Sequence, residues 1–278
     1  MHLLKQLINF YIFSNLHVAL AGLCLVKITM LKFGIATGFS PLITGFSIII
    51  AYNFIRFYEI KENNTSWFKK WFNQHKWLLL LLVLVSFISL VVILYFTNFS
   101  KKALLVLLPF GFITFFYVIP IFKSKKKHFS FRYFPSIKIV SIALTWAGVT
   151  VFLPLYDASI SFDIGVFIEF MQRFLIVMVI TLPFDIRDVY DDDIKLKTVP
   201  QLIGLKNTKA LGLLLSILFV LLSFLNPINE KYMIFVEILI ALLSVLLLIF
   251  TTTNRNKYYT GFWIEAIPIF WFLLLFVI

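Results

Sequence analysis

Long apolar runs constrain this chain more than any other feature. Nine of them fall near residues 8–31, 39–58, 77–97, 103–122, 134–155, 166–184, 210–226, 232–250 and 260–278. A helix needs about 20 predominantly apolar residues to cross a bilayer. In lipid, backbone N–H and C=O groups must be satisfied within the segment, so runs of this length form helices. The pattern predicts an all-α integral membrane protein, a bundle of nine transmembrane helices forming one polytopic domain over residues 1–278. With 61% hydrophobic residues and 34 Phe, the composition lies far from that of a soluble domain. The first run lacks a small-residue cleavage site after a short apolar core, so it reads as a retained span.

The connections between runs alternate in charge. Segments 59–76, 123–133, 185–209 and 251–259, together with the N-terminus, carry 17 Lys and Arg, whereas the opposite set carries four: Lys32, Lys101, Lys102 and Lys231. Cytoplasmic loops hold the basic excess. The expected placement is therefore multi-pass in the cell membrane, N-terminus in the cytoplasm and C-terminus outside. The net charge of +12 resides in these short loops, so it points to topology and anionic lipid and away from nucleic acid. The single cysteine, Cys24, excludes an intrachain disulfide and a Cys-based zinc site.

Chemistry concentrates between Pro183 and Gly204, PFDIRDVYDDDIKLKTVPQLIG. This stretch holds five of the thirteen acidic residues: Asp185, Asp188, Asp191, Asp192 and Asp193. If the sixth helix continues past Pro183, Asp185, Asp188 and Asp192 share one stripe at spacing i, i+3, i+7, while Asp191 and Asp193 splay away. Three carboxylates on one stripe call for a cation, and an oxygen-only set favours Mg²⁺. The plainer reading is a solvated acidic loop between two spans.

Polar residues within spans sort by depth. His17, Asn53, Arg56, Lys138, Asp185, Asp188, Asp192 and Glu265 fall toward the cytoplasmic side, and Glu169, Arg173 and Glu237 toward the outside. Each has a structural reading: His17 as a packing residue, Arg56 paired with Glu59 or snorkelling, Lys138 snorkelling, and Glu169 with Arg173 as an i, i+4 pair. The basic loop from Lys123 to Lys127 with Arg132 reads first as a topology signal and second as an attractor of anionic headgroups. Taken together, the inner group describes one polar site open to the cytoplasm. Its cations suit an anionic ligand, its aspartates a metal, and Phe-rich walls an apolar tail; a metal-bound diphosphate on a lipid chain meets all three demands.

The 183–204 stretch resembles the second aspartate motif of the UbiA family of intramembrane prenyltransferases. Asp185, Asp188 and Asp192 match its metal positions, and Lys197, Thr198, Pro200 and Gly204 match the run that follows. The nine-span pattern and an Asn-led end to the second span agree with it. The resemblance implies a UbiA-like bundle in which Mg²⁺ on Asp185, Asp188 and Asp192 holds an isoprenoid diphosphate, and in which the prenyl group passes to a small-molecule or lipid acceptor. Asn53, Arg56 and Lys138 become the expected substrate-binding residues, with Arg56 and Lys138 compensating charge on the leaving diphosphate. The family's first motif, N-D-x-x-D-x-x-x-D, is not kept. Aligned on Asn53, this chain has Phe54, Phe57 and Lys61 at the three aspartate positions, and Glu59 is out of register. Three outcomes follow: fixed cations replacing one metal, an altered reaction, or a non-catalytic lipid-binding or scaffolding protein of the same fold. A transporter is a further alternative, because intramembrane charges also mark ion pathways.

Overall fold

A computed structural model describes residues 2–62, 67–118, 122–124, 127–129 and 136–277. Helices dominate it: α1 (His2–Phe13), α2 (Leu16–Lys32), α3 (Ser40–Glu62), α4 (Trp67–Phe96), α5 (Lys101–Val118), α6 (Ile137–Asp157), α7 (Ile164–Arg187), α8 (Val199–Leu225), α9 (Lys231–Ile249) and α10 (Ile267–Val277). A π-helical turn, Tyr259–Ile264, leads into α10, and a 3₁₀ turn, Ile194–Leu196, precedes α8.

Among the described residues, seven helices are long and apolar enough to cross a membrane, and α1 with α2 adds an eighth if that bent pair is one span. The count therefore differs from the nine expected. The expected span at 103–122 overlaps α5, and its far end lies outside the described residues. The expected continuous helix over 8–31 is also corrected. It breaks between α1 and α2 with a bend of 53°, where Asn15 adopts a left-handed conformation at φ 70°. Asn is one of the few L-residues that visits this region readily. The basic connection at 123–133 contains a short antiparallel hairpin, Phe122–Ser124 against Lys127–Phe129. The side chains of Lys123 to Lys127 and Arg132 lie outside the described residues.

At the centre stands α7, packed against α6, α8 and α9 and bonded to α2 through Arg173 with the Leu25 carbonyl and Lys32 with Glu169. The core includes Leu25 and Ile28 of α2, Val177 and Val179 of α7, Phe219 of α8, Ile240 of α9 and Trp271 of α10. Small residues let helices approach closely: a Cβ built on Gly148 of α6 would meet the Phe110 ring of α5 at 1.8 Å. By contrast, α4 turns Leu84, Val85, Phe87 and Ile88 outward. An outward apolar surface of this kind is stable against lipid tails, as a membrane bundle requires.

Among the described residues, buried charge gathers at the two ends of α7. Glu169 and Arg173 lie in its first turns and Asp185 near its last, so Glu169 and Asp185 are separated by about 24 Å of helix rise.

Candidate functional site

The Pro183–Gly204 stretch folds into a tied turn between two helices. Helix α7 does run through Pro183, but it stops at Arg187, and Asp188 is its C-cap. The i, i+3, i+7 stripe therefore does not form. Asp192 reaches the site by the turn that follows, closed by Asp191 N–H and Asp192 N–H donating to the Asp188 carbonyl at 2.9 and 2.8 Å. Helix α8 starts earlier than the expected 210, so much of the 185–209 connection is helical. At its N-terminus Thr198 N–H donates to Gln201 Oε1 at 3.0 Å, one of the two bonds of a capping box, while the Thr198 hydroxyl is buried without a partner. Gln201 Nε2 in turn donates to the Asp192 carbonyl at 3.1 Å, fastening the aspartate turn to α8. Pro200 occupies the first turn, where its missing N–H costs nothing. Gly204 breaks the helix at φ 78°, ψ 164°, a conformation open essentially to glycine alone. These are local reasons for the Pro and Gly of the motif.

The acidic turn and the start of α6 meet at Lys138. Its Nζ lies 2.8 Å from Asp185 Oδ1 and 3.0 Å from Asp192 Oδ2. Asp185 is fully buried, and Asp192 and Lys138 are partly so. The register is fixed from behind by Ser136 N–H donating to the Lys197 carbonyl at 3.1 Å. Lys138 was expected to snorkel or to meet an anionic ligand; here it is the cation between two of the predicted metal carboxylates.

Asp188 does not join them. Arg187 grips it with two parallel bonds, Nε to Oδ1 and Nη2 to Oδ2, each 2.6 Å, and Arg187 Nη1 also donates to the Thr260 hydroxyl in the π-turn. Arg187 went unremarked in the sequence. Its signal was its place in the last turn of α7, where a cation complements the helix C-terminus. Glu265 follows the π-turn, half-buried, with Arg56 and Arg187 as the charges that act on it.

The remaining expected residues spread outward. The Arg56 guanidinium lies 4.7 Å from the centre of the Phe68 ring. The side chains of Glu59 and Lys61 lie outside the described residues. Asn53 is buried, and its Nδ2 donates to the Ser14 carbonyl at 3.2 Å and the Ile49 carbonyl at 2.8 Å. It thus braces the break between α1 and α2. Phe57 packs edge-on against Phe72 at 4.6 Å, and Phe54 is exposed. His17 is held from both ring nitrogens, by the Tyr11 hydroxyl at 2.8 Å and the Phe262 carbonyl at 3.0 Å, as its packing reading requires.

A second buried network closes the other end. Arg173 Nη2 donates to Glu169 Oε1 at 2.8 Å, and Lys32 Nζ contacts Glu169 and, at 2.7 Å, Glu237. Gln172, Ser223 and Asn229 complete the donors to Glu237. Lys32, counted from sequence as a loop charge, is therefore an interior residue. Two cations and two carboxylates compensate one another, the condition under which buried charge is tolerated.

The donor set at the inner site bears on Mg²⁺. Among the described residues, no three His, Cys, Asp or Glu side chains converge as a ligand group. The buried Asp185 Oδ2 nevertheless has no hydrogen-bond donor, and Asp192 faces the same ammonium. These two carboxylates would hold a divalent cation only with Lys138 displaced and with other oxygens completing the shell, as Mg²⁺ usually requires.

Among the described residues, seven or eight helices are long and apolar enough to cross a membrane, the pattern of a multi-pass helical membrane protein. Its fold is similar to that of a UbiA homologue from Archaeoglobus fulgidus, whose structure holds GPP and Mg²⁺. The TM-score is 0.64, and the match covers 96% of this chain and 98% of the homologue at 16% identity. At that identity the likeness establishes the fold alone. No protein-family model matches the chain, and no curated protein matches it in sequence.

Proposed function

We propose that the chain is a UbiA-like membrane prenyltransferase with a degenerate first aspartate motif. It acts as one membrane domain with its N-terminus and its site on the cytoplasmic side. Its substrate is an isoprenoid diphosphate bound with Mg²⁺, and the prenyl group passes to an acceptor that the chain does not identify. The observation that carries this reading is the Asp185–Lys138–Asp192 group at the mouth of a bundle similar to the GPP-bound homologue.

Bound Mg²⁺ would supply charge neutralisation to the diphosphate leaving group, with Asp185 and Asp192 as its protein ligands. The chain's own residues do the rest. Lys138 is close enough to pass from the carboxylates to a phosphate oxygen as ligand enters. Arg187 and Arg56 supply further fixed positive charge on the same side, the kind of clamp that stabilises a departing phosphate. Asp188, gripped by Arg187, sets the direction of that guanidinium. Apolar side chains around the bundle receive the isoprenoid tail.

A second reading, a non-catalytic lipid-binding protein of the same fold, is favoured by one observation: Phe57, at a first-motif aspartate position, is spent on packing against Phe72. The two separate in a turnover assay. Purified protein is incubated with Mg²⁺, a panel of prenyl diphosphates and a membrane lipid extract as acceptor source. Release of diphosphate with a prenylated product supports the transferase; saturable binding without release supports the second reading.

A further inference from the structure

The break between α1 and α2 creates a feature that the proposed reaction does not use. A cavity of about 290 Å³ lies between α1 and the π-turn, lined by Ile8, Tyr11, Ile12, Tyr258 and Phe262, with apolar walls. Lys5 shares a stripe of α1 with Ile8 and Ile12, at spacing i, i+3, i+7. Lys257 immediately precedes the lining residue Tyr258, and its Nζ lies 5.1 Å from the Phe13 ring centre and 5.6 Å from that of Tyr258. Lys257 thus stands next to the cleft, and Lys5 lies on the same stripe of α1 as two of its lining residues.

We propose that this cleft binds an anionic phospholipid, with its phosphate between Lys5 and Lys257 and part of an acyl chain in the cavity. Charge complementarity is the first argument. Burial and, after it, the charge of Lys5 push the Lys257 ammonium down to about 8, and a phosphate near both lysines acts in the opposite sense. The second argument is the posture of α1. It leaves α2 at 53° and turns Leu3, Leu4 and Leu7 outward at 70%, 63% and 59% exposure. An amphipathic helix with such a face lies in the headgroup layer, where phosphates are. The helix is also fastened to the cleft: the Tyr258 hydroxyl donates to Asn9 Oδ1. A phospholipid is favoured over the prenyl diphosphate because the cavity lining has no carboxylate to hold a metal.

The full chain in neutral detergent provides the test. Thermal unfolding is followed while dioleoylphosphatidylglycerol or dioleoylphosphatidylcholine is added. The anionic lipid should raise the melting temperature saturably and the zwitterionic lipid should not. Lys5→Gln and Lys257→Gln should each weaken the anionic lipid about fivefold, since a lysine near an anionic headgroup contributes roughly 1 kcal/mol. Ile8→Trp, which fills the cavity and keeps both lysines, should abolish the selectivity while leaving the lipid-free melting temperature near that of the parent. Equal stabilisation by both lipids, or an unchanged response in the double lysine variant, would overturn the proposal. So would displacement of the anionic lipid by geranyl diphosphate, which would assign the cleft to the prenyl substrate.

Discussion

Lys138 is the residue on which the site turns. Its ammonium lies 2.8 Å from Asp185 and 3.0 Å from Asp192, so it does for the two carboxylates what a metal ion would. Removing it leaves two acids facing each other at a partly buried position, a repulsion that only a cation or a proton relieves. Lys138→Met should therefore lower stability without metal by about 1–3 kcal/mol, the usual range for an interrupted polar contact of this burial. Added Mg²⁺ should then raise the melting temperature of the variant more than that of the parent. An identical Mg²⁺ response in both proteins would mean that Lys138 and the cation do not share ligands. Lys138 was legible in the sequence as an interior cation, but its partners were not, because Asp185 and Asp192 lie on other elements and no periodicity links them to it. Lys32 shows the same limit more sharply. At the end of an apolar run it reads as a boundary charge, and only the arrival of Glu169 and Glu237 from α7 and α9 makes it an interior one.

Helix ends decided where the sequence reading held and where it did not. Apolar runs located the helices well, because the bilayer demands length and hydrophobicity of every span. Turn geometry was hidden. The carboxylate stripe assumed that α7 continues beyond Arg187, whereas the Arg187–Asp188 fork and the Thr198 N–H bond to Gln201 mark where one helix ends and the next starts. Gly204 is the element-scale feature most open to test. Its φ of 78° and ψ of 164° exclude a side chain by local strain, although nothing lies within 4 Å of the Cβ position. Gly204→Ala should cost about 1–3 kcal/mol and loosen the Gln201 clamp on the aspartate turn. Gly111→Ala, in α5 and equally uncrowded, should leave stability unchanged or slightly raised, since alanine suits a helix better. Both are measured by thermal unfolding in detergent; equal effects would remove the backbone-strain argument.

Across the whole molecule, the two buried charge groups make the ends of α7 unlike. The network of Lys32, Glu169, Arg173 and Glu237 ties α2, α7 and α9 together with both carboxylates partnered, its orphan atoms being Arg173 Nε and Asn229 Oδ1, while the group at the other end keeps a buried carboxylate oxygen without a donor. The proposed ligand site lies at the end whose orphan is a carboxylate oxygen, and the proposed orientation faces that end to the cytoplasm. Cysteines placed at the exposed positions Asn207 and Ser159 test it. In sealed cells an impermeant thiol reagent should label Ser159→Cys and spare Asn207→Cys until the membrane is opened; the reverse pattern would invert the topology. The central claim is that Asp185, Lys138 and Asp192 form a Mg²⁺-dependent diphosphate site, and calorimetric titration of geranyl diphosphate into the purified protein tests it most directly. The account predicts saturable binding with Mg²⁺, little without it, and loss of that binding in Asp185→Asn while the exposed Asp191→Asn stays within about twofold of the parent, because a surface substitution away from the site changes little. Binding that is indifferent to Mg²⁺, or that falls equally in both variants, would contradict it.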